Sequence, residues 1–171
     1  MTAEEQAMAA KIHSVNFYVK GNNNAWVELN SFGDFHLIPS KMPTVVPKSP
    51  DFAYVSVPGS LNGDVDMTEA LTGSTRFKNR EGEWEFFYET PYRYALESHV
   101  TGANLLTPFQ IQALLETNLQ GKQVIAVLMD NSGVAYDGRV WCESFTPGED
   151  SNSSVILKYK FKPETTTPPT T

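Results

Sequence analysis

The chain has 171 residues, 40% of them hydrophobic and 19% charged, with a formal net charge of −7. That length suits one domain able to bury a core without covalent staples, and the single cysteine, Cys142, excludes an internal disulfide or a zinc-type cysteine cluster. The acidic balance and the lack of a basic cluster argue against affinity for nucleic acid, which needs Lys and Arg to displace phosphate counterions; an acidic wall still lets DNA pass without sticking.

Residues 1–12 read as a polar, Ala- and Glu-rich N-terminal extension. It lacks the basic end and apolar core of a signal peptide, and no apolar run approaches a membrane span, which points to synthesis and folding in a cytoplasm. From residue 13 the pattern changes. Val15, Phe17 and Val19 alternate with Ser14, Asn16 and Tyr18, a short strand, and Gly21 with Asn22, Asn23 and Asn24 forms a turn cluster. Trp26, Leu29, Phe35 and Leu37 suggest short strands around a turn at residues 31–34. Pro39, Pro43, Pro47 and Pro50 then withhold ladder donors and favour extended chain, either a surface loop or an arm lying on a neighbouring subunit.

A strand over residues 52–57 leads into the most punctuated stretch of the chain. Pro58, Gly59, Gly63 and Gly73 mark turns, Asp66 with Glu69 forms a capping box able to start one helical turn, and Gly73 sits where that turn stops. The oxygen-bearing side chains here resemble a calcium loop only faintly, with the glycine too early and Glu69 too soon. Trp84, Phe86 and Tyr88 next alternate with Glu83, Glu85 and Glu89, one face toward a core and one, acidic, toward water or a channel. Thr107, Pro108 and Gln110 open a helix, Ile111, Leu114, Leu115 and Leu119 stripe one side of it, and Gly121 ends it. Residues 124–130 form an apolar strand, and Asn131, Ser132 and Gly133 turn the chain into a return strand over residues 134–145, where Gly138 implies a bulge or a close backbone approach. Val155, Leu157, Tyr159 and Phe161 alternate with Lys158, Lys160 and Lys162 in the most regular strand. Residues 163–171, rich in Thr and Pro, read as a disordered C-terminal tail, and deleting residues 165–171 is expected to leave the fold intact. The fold class is therefore mainly β: residues 13–162 form one domain of two packed sheets with one packed α-helix.

No reactive constellation emerges. His13, His36 and His99 lie in separate segments without metal-ligand spacing, no serine sits in a nucleophile elbow, and the carboxylates are dispersed. The expectation is no enzyme, no cofactor, no metal and no catalytic residue. Trp26, Trp84 and Trp141 leave open a sugar-stacking surface, though large aromatics more often bury.

The order Pro58, Gly59, Gly63, Asp66, Thr68, Glu69, Gly73, then Asn79, Arg80 and an aromatic strand, followed by Tyr136, Gly138 and Arg139, resembles the N-terminal ring-forming domain of the distal tail protein (Dit) of long-tailed bacteriophages. Asp34, His36, Leu37, Leu119, Gly121 and Lys122 extend the likeness. The resemblance implies a tail-tube-like β-sandwich with a helix and a hexameric ring of identical subunits at the distal end of the virion tail. Its partners would be the tail tube protein and the tail hub, with genomic DNA passing through the lumen unbound. Many relatives continue into a second, carbohydrate- or partner-binding domain; a chain ending soon after Phe161 favours the connector role. Residues 91–107 are longer than the usual link and could add a contact at the ring's rim. The alternatives are a tail tube or tail terminator subunit, or a carbohydrate-binding β-sandwich module.

Overall fold

The computed structural model describes residues 13–52, 54–55, 59, 63, 65–67, 69, 73–89, 108–128, 133–146 and 152–169. The main elements are β1 (Val15–Lys20), β2 (Trp26–Asn30), β3 (Ile38–Pro39), β8 (Arg80–Glu89), β9 (Val124–Leu128), β10 (Ala135–Thr146) and β11 (Asn152–Thr166), with one described helix, α1 (Pro108–Asn118). They join in a seven-stranded antiparallel sheet of order β2-β1-β9-β10-β11-β8-β3. Four two-residue strands, β4 (Pro50–Asp51), β5 (Tyr54–Val55), β6 (Val65–Asp66) and β7 (Arg76–Phe77), pair β4 with β7 and β5 with β6. The punctuated stretch is thus a nested antiparallel excursion between β3 and β8.

The two layers expected from the sequence arise differently. Four strand-to-strand steps separate β1 from β8, about 19 Å on a flat sheet at ~4.8 Å per step. Yet the rings of Phe17 on β1 and Trp84 on β8 have centroids 6.2 Å apart. The sheet is curled until β1 and β8 meet across the core, so a single hydrogen-bonded sheet supplies both layers. Two register shifts in β10, between Tyr136 and Gly138 and between Cys142 and Ser144, supply local bends of the kind bulges impose. Among the described residues, β9 pairs with β10 at residues 136–138. Beyond that point Gln120, just past α1, donates to the Cys142 carbonyl at 3.2 Å.

Ile111, Leu115 and Leu119 of the helical stripe are fully buried and Leu114 is half-buried. Gly121 adopts φ +79° after the helix, the left-handed conformation that its place as a terminator called for. The turn after β2 is held by Asn30, which is 2% exposed. Its Oδ1 accepts the N–H groups of Phe32 (2.8 Å) and Gly33 (2.9 Å), and its Nδ2 donates to Ser14 Oγ (3.0 Å) and Asn16 Oδ1 (2.6 Å). Every donor and acceptor of this buried amide is used, which removes the penalty of burying it.

The expectation of disorder from residue 163 is corrected in its first residues. β11 runs on to Thr166, and Thr165 and Thr166 pair with Tyr136 and Ala135 of β10. Ladder bonds use only backbone groups, so a Thr- and Pro-rich composition does not forbid them. Removing residues 165–171 would therefore shorten the sheet. The extension over residues 1–12, the segment 91–107, Thr107, Pro58, Thr68 and His99 lie outside the described residues.

Candidate functional site

The proline-bearing segment at residues 40–49 is a strap over the protein's own sheet. At its ends the Ser40 N–H donates to the Glu85 carbonyl at 3.1 Å and the Ser49 carbonyl accepts the Lys78 N–H at 2.9 Å; between them, side chains of β8 and β11 hold the extended backbone. Trp84 Nε1 donates to the Thr44 carbonyl at 2.8 Å, and the Val46 N–H donates to Tyr159 Oη at 3.1 Å. Arg80 Nη1 donates to the Val46 carbonyl at 3.2 Å. Within the strap Pro43 is buried and Val45 packs against the core. Gly82 explains how Tyr159 reaches that far: it lies opposite Tyr159 in the ladder, and a Cβ there would sit 2.6 Å from the Tyr159 ring carbon Cζ. Burial pushes the Tyr159 phenol up in pKa, offset in part by the Val46 N–H.

Arg80 is the centre of this corner. Its Nε and Nη2 both donate to the Pro163 carbonyl, at 3.0 and 2.8 Å, and its guanidinium lies 5.3 Å from the centroid of the Tyr136 ring. One planar fork thereby ties together the strap, the end of β11 and the start of β10, a task that suits arginine and not lysine. Gly138 is opposite Phe161 in the ladder and approaches so closely that a Cβ would collide with the Lys160 carbonyl and lie 2.8 Å from Phe161 Cα. Both readings offered for Gly138, bulge and close approach, hold. Tyr136 packs its ring on Phe161 at 5.7 Å, and Arg139 Nη1 donates to the Gly121 carbonyl at 2.9 Å, pinning the helix end. Asn79 borders a cleft of about 370 Å³ shared with Gly138 and Arg139.

Asn79, Arg80, Tyr136, Gly138 and Arg139, far apart in sequence, are therefore neighbours in space. The remaining described motif residues lie on the excursion. Gly59, Gly63 and Gly73 have φ of +81°, +78° and +77°. The Gly73 N–H donates to the Glu69 carbonyl at 2.7 Å, closing a turn of helical span, and Asp66 pairs with Tyr54 as that turn's predecessor. The Glu69 carboxylate lies 3.4 Å from Thr75 Oγ1. Phe52 and Tyr54 are 53% and 57% exposed on this excursion, with ring centroids 5.9 Å apart.

The three tryptophans separate. Trp84 is 3% exposed, a core ring, which removes it as a sugar-stacking surface. Trp26 is half-buried with the Lys20 ammonium 5.3 Å from its centroid, and Trp141 is half-buried on the outward face of β10. The acidic row of β8 is not a bare wall, because Glu81 and Glu83 lie opposite Lys160 and Lys158 of β11. Lys160 meets Glu81 at 3.1 Å, Lys158 meets Glu143 at 3.5 Å and Lys162 meets Asp137 at 3.2 Å.

Among the described residues no group of three or more His, Cys, Asp or Glu side chains is placed to hold a metal ion, and no helix is long and apolar enough to cross a membrane. His36 is buried, with φ +56° and its N–H on the Phe32 carbonyl. Burial, with Glu116 and Glu143 adding to it, pushes the Cys142 thiol up, so the neutral thiol is favoured. Sequence reasoning missed Asn30 and the strap-holding roles of Trp84 and Tyr159. A glycine inside an aromatic strand, Gly82, was the signal that a large partner needed room.

No family model matches the chain, and no curated protein matches it. Among solved structures it is similar to the Dit protein (gp 19.1) of SPP1, described as a paradigm of the hub adsorption apparatus in Gram-positive infecting phages. The TM-score is 0.52 at 16% sequence identity, and the match covers 90% of this chain and 52% of that one. The chain thus shares the fold of that protein and spans about half its length.

Proposed function

We propose that this chain is a structural protein of a bacteriophage tail. In this reading, identical copies form a ring, hexameric in symmetry, at the distal end of the tail. The ring joins the tail tube protein to the tail hub and adhesion machinery, and its opening is the route of the genome. The chain folds in the host cytoplasm and ends in the virion tail, and no catalysis, cofactor or membrane contact is assigned to it.

The observation that carries this reading is the agreement of two independent likenesses. The motif order from Pro58 to Arg139 resembles the distal tail proteins, and the fold resembles SPP1 Dit over 90% of this chain. The geometry supports it in kind. The motif residues do mechanical work, with Arg80 and Gly138 fixing how strands join and the excursion glycines setting a chain path.

The test is the state of assembly. Light scattering of the purified chain and imaging of intact particles should find closed symmetric rings, present as one layer at the tail's distal end. A chain that stays monomeric at high concentration and is missing from virion tails would overturn the proposal. Many stacked layers along the tail would instead identify a tube subunit.

A further inference from the structure

We propose that the outward face of β8, β11 and β10 carries a binding groove for a neutral oligosaccharide, with Trp141 as its stacking platform. The groove has a volume of about 460 Å³, within the ~300–1,000 Å³ range of ligand clefts. Its walls are Trp141, Lys158, Lys160, Glu81 and Glu83, and Gly82 and Tyr159 lie at its floor.

The residue types select the ligand class. Trp141 lies opposite Lys158, and Lys158 lies opposite Glu83, so the indole, an ammonium and a carboxylate stand in one row across three strands. In the next row Lys160 and Glu81 form an ion pair at 3.1 Å. Each ammonium has a carboxylate beside it, Lys160 with Glu81 and Lys158 with Glu143, so an anion finds no uncompensated ammonium, while Glu83, without an ion pair among the described residues, is left to accept from hydroxyls. An apolar ligand would strip water from four charged groups without replacing it. A pyranose ring answers both constraints. Its C–H face covers an indole, and its hydroxyls both donate to carboxylates and accept from ammonium groups, bonds strengthened by the ionised partner. The indole is held in place, since Trp141 Nε1 lies 3.3 Å from Glu143 Oε2. Trp84 borders a smaller cleft beside Lys41, Glu83 and Glu85, but at 3% exposure it offers no ring face to a ligand.

The site does not depend on the tail reading, so its failure leaves that reading standing, and the reverse also holds. The experiment titrates the full chain with N-acetylchitotriose, maltotriose and a galactotriose, read by tryptophan emission and by calorimetry. At least one should bind with a Kd near the millimolar range, about −4 kcal/mol, with a shift in emission. Trp141→Ala should abolish the signal while Trp141→Tyr retains part of it. Glu83→Gln and Lys158→Ala, surface changes that leave the fold alone, should each weaken binding about tenfold. No binding of any of the three, or binding unaffected by Trp141→Ala in a chain with unchanged thermal midpoint, would overturn the proposal. A groove that instead takes up a second copy of the chain, seen as dimerisation abolished by Trp141→Ala, would overturn it too.

Discussion

Strands β8 and β11 present two faces made from one backbone. Inward, Trp84, Phe86, Tyr159 and Phe161 are at most 3% exposed, and the rings of Trp84, Tyr159 and Phe161 meet with centroids 4.8 to 5.9 Å apart. Outward, the side chains of Glu81, Lys158 and Lys160 keep 62%, 41% and 52% exposure and meet mainly as ion pairs. Burying a large apolar side chain contributes ~1.5–3 kcal/mol, whereas an exposed ion pair contributes about 0–1 kcal/mol. The inward face therefore carries the stability, and the outward face is left at liberty to contact something else. Arg80, Tyr136 and Gly138 work on the inner side, where they fix how β8, β10 and β11 join.

Gly138→Val probes that division most severely. Its side chain would be forced into the Lys160 carbonyl, backbone that cannot step aside without parting β10 from β11. A loss of about 3 kcal/mol or more is expected, at the upper end of overpacking costs, read as a collapse of the thermal midpoint or insoluble protein. A midpoint within a few degrees of the parent would break the claim that the joining of β10 to β11 rests on this approach. Arg80→Met comes next. It strips donors from the Pro163 and Val46 carbonyls and should cost about 2 kcal/mol in urea unfolding. Arg80→Lys should rescue little, because one ammonium cannot span both carbonyls.

Alkali sharpens the comparison by titrating the inward face. Burial pushes the Tyr88 phenol up to about 12, from 10 in an exposed tyrosine. A raised folded-state pKa means the native chain holds its proton longer than the unfolded one. The stability from the neutral phenol is complete below pH 10 and is lost as the pH climbs through 12. The expected slope is about 1.4 kcal/mol per pH unit in that window. Chemical denaturation at stepped pH measures it, and Tyr88→Phe should flatten the curve. An unchanged slope in that variant would place the alkaline loss on another phenol that burial raises, Tyr159.

How much of this was legible in the sequence follows the same divide. The alternation of Val155, Leu157, Tyr159 and Phe161, and of Trp84, Phe86 and Tyr88, announced strands with one apolar face. The stripe of Ile111, Leu115 and Leu119 announced the helix, and the lone Gly138 announced a bulge. These signals are local and repeat with the period of the element. The partners of Arg80 were not legible, because its acceptors are backbone carbonyls, which every residue owns. Nor was the pairing of Lys160 with Glu81, since their register depends on two segments about eighty positions apart. Curling hid the sheet count for the same reason: nothing local distinguishes one sheet folded over from two. The Asn30 knot could have been suspected from Asn30, Ser31, Gly33 and Asp34, a cluster of turn formers whose side chains bond nearby backbone. Its burial could not.

The smallest expected effect is the most discriminating test of the outward face. Glu81→Gln removes one charge from the 3.1 Å pair with Lys160, whose side chains are 62% and 52% exposed. At that exposure water screens the attraction, and the loss should be at most about 0.5 kcal/mol, shrinking further in high salt. A double-mutant cycle with Lys160→Ala isolates the pair from whatever each side chain does alone. A coupling near zero means the charge grid adds little to the fold, and the grid is then free to be set by what the face touches. A coupling above roughly 1 kcal/mol, insensitive to salt, would be out of reach for an exposed pair. It would make the outward face a second source of stability and dissolve the division on which the comparison rests.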